Sequence, residues 1–192
     1  MKTPHKLIAL VMLLVVATTG CTTSSSKKIV TLNIKPQPET VVHVMPAAAA
    51  QKRLTTSDAA KRALLGILVD QATGIYTYKF DDKDYGHLRQ SVVESLQQGH
   101  AFRAVHDVTA DTVEGDGTRL YISFQESGMQ QTKWGNFICI LKALAWTEDA
   151  GGNVLAKKNV AVEEKSGVTV RVAKGKAISR FVTEVGGLFP SQ

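Results

Sequence analysis

The chain has 192 residues, 44% of them hydrophobic and 21% charged, with two cysteines. That length suits one domain of ordinary size, the apolar share is enough for a core, and two cysteines exclude both a disulfide scaffold and a cysteine-rich zinc module. Lys+Arg number 23 against 17 Asp+Glu, a net charge of +6. Lys2 and Lys6 fall in a segment expected to be removed, which leaves 21 against 17. This is an ordinary solubility surplus rather than a nucleic-acid footprint, so no nucleic-acid partner is expected.

Lys2, His5 and Lys6 make a positive start, and Leu7 to Ala17 follow as eleven uninterrupted apolar residues. A bilayer-spanning helix needs about 20, so the run has the length of an export signal rather than of a membrane span. It ends at Thr18-Thr19-Gly20-Cys21, after which the chain turns abruptly polar through Thr22, Thr23, Ser24 to Ser26, Lys27 and Lys28.

The Thr19-Gly20-Cys21 stretch resembles the lipobox of bacterial lipoproteins, with Thr18 where that family prefers Leu. The resemblance implies cleavage before Cys21 and a covalent lipid there, which would be the only prosthetic group. Several acyl chains, each contributing about 0.8 kcal/mol per buried methylene, hold a protein on a bilayer where one would not. In that family an Asp after the Cys favours inner-membrane retention, and here the residue is Thr22. The implied location is the inner leaflet of the outer membrane, facing the periplasm. The expected organisation is a signal over 1–20, the lipidated Cys and a polar tether over 21–28, and a single domain over 29–192.

Ile29 to Ile34 alternates and predicts a short strand terminated by Pro36 and Pro38, followed by a second apolar piece from Val41 to Met45. Ala47 to Ala50 fits either a helical lead-in or a spacer, and the sequence leaves residues 47–54 open between helix and linker. Thr55 and Asp58 precede a stripe through Ala60, Leu64, Ile67 and Leu68 that predicts a helix over 59–72, closed by Gly74. Ile75 to Phe80 predicts a strand. Asp81, Asp82 and Asp84 open another helix with Tyr85, Leu88, Val92 and Leu96 on its apolar face, Arg89, Gln90, Glu94 and Gln97 on its polar face, and Gly99 as its stop.

Phe102 to Val105 and Arg119 to Phe124 read as strands, and Phe137 to Trp146, apolar on both faces apart from Lys142, as a central one. A turn at Asp149 to Asn153 leads into a strand from Val154 to Val162 with an exposed face. Val170, Ala173, Ala177, Ile178, Phe181, Val182 and Val185 mark a closing helix that Gly175 weakens. The order predicts an α+β domain, a mostly antiparallel sheet with helices packed on one face. The order, together with the phrase from Leu88 to Val105, is similar to small outer-membrane lipoproteins of the YajG type and to the amino-terminal domain of TolB.

Motifs that carry chemistry are not found. The five histidines lack HExxH or paired spacing, and Val92 stands where a calcium loop opening at Asp81 would need Glu. Gly115-Asp116-Gly117 is a turn, no Gly-x-Ser-x-Gly elbow occurs, and Cys139 lies in the most apolar strand. No catalytic or metal-ligating residue is therefore assigned, and the chain is not expected to be an enzyme. Lys157, Lys158, Lys174, Lys176 and Arg180 are candidates for a surface that meets an anionic partner such as peptidoglycan or lipopolysaccharide, and Trp134 beside Gly135 is a candidate interface residue.

The expectation is a lipid-anchored, non-catalytic binding or assembly module of an envelope complex, held to the membrane through Cys21 and partnered by envelope protein. The alternatives are an auxiliary lipoprotein for transport or lipid handling with an apolar ligand pocket, and an envelope hydrolase whose residues converge only in three dimensions.

Overall fold

A computed structural model describes residues 29–56, 77–132 and 134–191. The signal, Cys21 and the tether lie outside the described residues, as do the helix expected over 59–72 and the start of the strand expected from Ile75. In chain order the elements are β1 (Gln37–Val44), α1 (Ala47–Thr56), β2 (Tyr78–Lys79), α2 (Asp82–Gln98), β3 (Phe102–Asp107), β4 (Thr118–Phe124), β5 (Gly128–Gln131), β6 (Phe137–Glu148), β7 (Val154–Ser166) and α3 (Val170–Gly186). Among the described residues no helix is long and apolar enough to cross a membrane.

The expected α+β architecture with a mostly antiparallel sheet is present, and β6 organises it. β7 runs antiparallel along the whole of β6 from Phe137↔Ser166 to Glu148↔Val154. The other side of β6 is shared, with β5 pairing its first half at 137–140 and β4 its second half at 143–148. From β4 the sheet continues to β1 and β3, and from β5 to β2. β1 is parallel to both β3 and β4, a departure from the antiparallel order that the sequence suggests for the later strands.

Period-2 alternation sorts the side chains. Leu120 and Ile122 of β4 share one face with Cys139, Leu141, Ala143 and Ala145 of β6, and with Val160 and Val162 of β7. α2 and α3 close that face with Leu88, Val92, Leu96, Ala173, Ala177, Phe181, Val182 and Val185, all buried. Burying a side chain such as Phe181 contributes about 2–3 kcal/mol, so this layer holds the two long helices to the sheet. Tyr121, Leu144 and Trp146 point to the other face, where Met45, Ala49 and Ala50 meet them. The undecided alanine stretch is thus a helix. Its small residues let α1 lie close over one corner of the sheet, and Tyr121 stacks on Trp146 at 5.1 Å.

Both long helices start at a cap. The Asp81 side chain accepts from the Asp84 N–H at 2.9 Å while the Asp84 carboxylate accepts from the Asp81 N–H, a reciprocal capping box. Thr169 caps α3 by accepting from the Val172 N–H at 3.2 Å.

Several expectations need correction. Ile29 to Ile34 is not a strand but an irregular arm, whose Val30, Leu32 and Ile34 pack against the main core without a ladder partner. The arm is fixed by the Lys35 N–H donating to the Pro190 carbonyl and by Leu32 lying where a Cβ on Gly186 would come within 2.8 Å of it. Pro38 does not terminate a strand; it lies inside β1, in the stretch between Gln37 and Val41 where the register with β3 shifts and no regular bond is forfeited. Arg89, on the expected polar face of α2, is not solvated. It donates from Nη2 to the carbonyls of Val44 and Val108 at 2.7 Å and from Nε to that of Met45 at 3.0 Å, and it pairs with Asp107. One guanidinium thereby gathers the ends of β1 and β3. Val170 is exposed rather than part of the buried stripe of α3.

Candidate functional site

The five basic candidates do not form one patch. Alternation along β7 sends Lys158 towards α3, where it pairs with Glu184 at 2.7 Å, while Lys157 projects from the opposite face of the sheet. Arg180 pairs with Glu164 at 3.1 Å. Lys174 reaches α2, placing Nζ 2.6 Å from Asp84 Oδ1 and 5.0 Å from the centre of the Phe80 ring. Lys176 is exposed on α3. Three of the five thus match acidic groups within the chain, and the pairings join α3 to β7 and to α2.

Asp84 is the most heavily used acid on that face. Burial pushes its carboxyl up, but hydrogen bonds from Lys174, Tyr78 and the Asp81 N–H outweigh this and hold it below the ordinary carboxylate value. The hydrogen bond that Tyr78 donates to Asp84 at 2.7 Å pushes its phenol up to about 12. Such a locked cluster is suited to joining elements and poorly suited to moving a proton near neutral pH.

Other titratable groups are dispersed. Burial pushes the Cys139 thiol up to about 12, the opposite of what a nucleophile needs. His43 and His106 are neighbours on the parallel strands β1 and β3 and stack with ring centres 5.4 Å apart. His43 Nε2 is 3.4 Å from the Asp116 carbonyl, and among the described residues no three His, Cys, Asp or Glu side chains are placed to hold a metal ion. Ser127 is bonded to the backbone of Gln125 and Lys142, and Ser91 to the His87 carbonyl.

A cavity of about 360 Å³ opens under α1 between Arg53, Arg119, Tyr121 and Glu148. Its cationic groups are already engaged: Arg53 binds Glu148, and Arg119 donates to the carbonyls of Asp149, Ala150 and Val113. Another, of about 540 Å³, lies between the start of α1 and the first turns of α2, beside Tyr85 and Phe124. Neither is lined by α3, and the space beneath that helix is filled by Ala173, Ala177, Phe181 and Val185.

Two surface features remain. β7 is 13 residues long and pairs only with β6, so among the described residues no strand covers its outer row of backbone N–H and C=O groups. Trp134, the interface candidate, stands 91% exposed at the tip of the β5–β6 hairpin. The Thr132 N–H donates to the Asn136 carbonyl at 2.9 Å and the Gly135 N–H to the Thr132 carbonyl at 3.0 Å, while Gly135 takes φ +77° to complete the turn. The β7–α3 connection lies beside it, because Phe137 pairs with Ser166 and a Cβ on Gly167 would come within 3.1 Å of Asn136 Oδ1. Val168, Val170 and Val172 are exposed on that neighbouring segment. Sequence reasoning singled out Trp134 but not the valines, whose exposure depends on where α3 turns its buried side.

No family model matches the chain, and no curated protein matches it. Among solved structures it is similar to protein XCC0632 from Xanthomonas campestris, described under the family DUF330, at 16% identity and a TM-score of 0.46, over 81% of this chain and 87% of that one. It is also similar to a minor lipoprotein from Acinetobacter baumannii at 9% identity and a TM-score of 0.34, over 79% of this chain and 97% of that one.

Proposed function

We propose that the chain is a lipid-anchored envelope protein, attached through Cys21 to the outer membrane and facing the periplasm, that acts as a non-catalytic binding or assembly module. The observation that carries the reading is the open edge of β7. A strand of 13 residues with one side unpaired among the described residues can accept an extended segment of another protein through main-chain hydrogen bonds. Lys157, Asn159, Glu163 and Lys165 on its outward face would select the segment by charge. Tethering raises the effective concentration of such a contact, so a modest affinity suffices.

The lipid-handling alternative would place an apolar ligand between sheet and helices; Phe181, Val182 and Leu141 fill that space beneath α3, which leaves such a ligand only the opening of about 540 Å³ beside Tyr85 and Phe124. The enzymatic alternative would need a nucleophile and base within reach. Against it stand the buried neutral thiol of Cys139 and the separate engagements of Ser127, His43 and Asp84.

The test is a photo-crosslinking amino acid placed at Asn159 or Ala161 in intact envelopes, with Gln90 on α2 as the control position. A discrete protein adduct from β7 and none from α2 is the expected result. Adducts of lipid alone would remove the assembly reading. Mass spectrometry of the mature protein reads the anchor separately, and an unmodified Cys21 would remove attachment.

A further inference from the structure

The end of the molecule around Trp134 combines features that a water-facing surface does not need. Trp134 is 91% exposed, Val168 77%, Val170 42% and Val172 40%. Trp is a residue that proteins usually cover, and here it projects from a hairpin tip beside three uncovered valines. A tip that protrudes this far would require a matching pocket in a protein partner, whereas a fluid interface accommodates it directly. Indole, with an apolar body and a polar N–H, has its preferred place at the headgroup level of a bilayer.

The charge beside the tip has the complementary sign. The first turn of α3 contains no acid, although a helix start favours one. It carries Arg171 instead, with Lys174 and Lys176 following within the next turn and a half. Of the acids on β7 and α2, Glu163 pairs with Lys165, Glu164 with Arg180 and Asp84 with Lys174. Among the described residues Arg171 and Lys176 have no ion-pair partner, and they stand exposed next to the apolar tip, the arrangement that draws a protein to anionic headgroups.

The geometry of attachment allows the contact. Leu32 of the amino-terminal arm lies against Gly186, at the far end of α3 from Val170. A helix of 17 residues is about 25 Å long, and the eight residues from Cys21 to Lys28 reach roughly 26 Å when extended. The tether can thus span the molecule while its Trp134 end touches the membrane that holds Cys21.

We propose that this end, through Trp134, Val168, Val170 and Val172 with Arg171 and Lys176 beside them, docks on the surface of an anionic phospholipid bilayer. It rests on the lipoprotein reading in one respect, that the chain is held near a membrane. The contact orients the domain and leaves the β7 edge for a protein partner.

The experiment uses the mature chain from residue 21 with Cys21→Ser, so that no acyl chain contributes, and vesicles of phosphatidylethanolamine with or without phosphatidylglycerol. Trp146 is fully buried, so a change in tryptophan emission reports Trp134. Expected are a blue shift, quenching by phospholipids brominated in the acyl chain, and flotation with phosphatidylglycerol vesicles. Binding should weaken about tenfold in Trp134→Ser/Val168→Ser and fall in Arg171→Glu/Lys176→Glu. All four side chains are exposed, and an unchanged circular dichroism spectrum confirms the fold. Emission that stays at the solvent position with every vesicle, or equal flotation of parent and Trp134→Ser/Val168→Ser, would overturn the proposal. So would a protein adduct from a crosslinker at Trp134 in envelopes combined with no vesicle binding. Because Cys21 is replaced, these outcomes do not depend on whether the native thiol is acylated.

Discussion

Arg53 and Glu148, 95 positions apart, join α1 to the end of β6 through a charge pair whose acidic member is 1% exposed. Arg53 Nε lies 3.2 and 3.0 Å from the two carboxylate oxygens, and Trp146 Nε1 donates to Glu148 Oε1 at 2.9 Å. The carboxylate sits under α1 because Ala49 and Ala50 are small enough to bring the helix onto Tyr121 and Trp146. Arg53→Ala would leave that buried charge with only the indole N–H, at a cost of about 2–3 kcal/mol after allowing for the partial exposure of Arg53. The double replacement Arg53→Met/Glu148→Gln removes both charges, keeps an oxygen acceptor for the buried Trp146 indole N–H, and should return to within about 1 kcal/mol of the parent. Urea unfolding of the two variants measures both values. A single replacement costing under about 0.5 kcal/mol would mean that the pair does not hold α1.

The cluster of Tyr78, Asp84 and Lys174 predicts a stability profile with two limbs. The carboxyl of Asp84 is held below its ordinary value, so its contribution is present above the unfolded value of about 4 and disappears as pH falls through the folded one. The Tyr78 phenol is raised to about 12, so its contribution is present below about 10 and disappears as pH rises towards the folded value. Asp84→Asn removes the carboxylate that produces both. In that variant the urea midpoint should vary less below about pH 4, and one tyrosine should move its titration, followed by tyrosinate absorbance, from about 12 down towards its ordinary value. An unchanged tyrosine titration would show that Asp84 is not what holds the Tyr78 proton.

The sequence discloses elements whose determinants are local. Helix α2 is legible because Asp81 and Gly99 bracket a periodic apolar face, and β6 because its long apolar run is broken only at Lys142. β5 is not: Gly128-Met129-Gln130-Gln131 is short and half polar, and it is a strand because β6 and β2 lie on either side of it. The alternation in Ile29 to Ile34 is real, yet it reports packing against the main core rather than a ladder, and alternation alone cannot tell these apart. The candidate surface divides the same way. Trp134 announces itself by type and by its glycine neighbour. Sorting Lys158, Lys174 and Arg180 from Lys157 and Lys176 requires knowing that Glu184, Asp84 and Glu164 arrive opposite them.

Cys139 supplies a probe of global unfolding. It is fully buried between Ile138 and Ile140 on β6, and burial pushes its thiol up to about 12. A neutral, inaccessible thiol does not react, so in a Cys21→Ser variant labelling by a disulfide reagent should proceed only through opening of the β5–β6–β7 layer. The labelling rate should follow the unfolding equilibrium as urea is added. Labelling in native buffer at the rate of a free thiol would show that this layer opens locally.

Two glycines should respond to the same substitution with opposite signs. Gly117 precedes β4 at φ +139°, and a Cβ there would lie 2.8 Å from the Val41 carbonyl oxygen and 2.9 Å from the His43 ring. The first obstacle is backbone, which cannot swing aside, and the dihedral itself is strained for any residue with a side chain. Gly117→Ala should therefore cost about 2 kcal/mol or more and disturb the β1–β4 contact at Val42↔Thr118. Gly175 lies inside α3, where an added Cβ meets nothing within 4 Å. There Ala only lowers the entropy of the unfolded chain and improves helix propensity, so Gly175→Ala should stabilise by about 0.5–1 kcal/mol. Urea midpoints of the two variants against the parent decide the matter. A loss of stability in Gly175→Ala would mean that this exposed stretch of α3 is not a regular helix, and a neutral Gly117→Ala would mean that the turn into β4 can relax away from Val41.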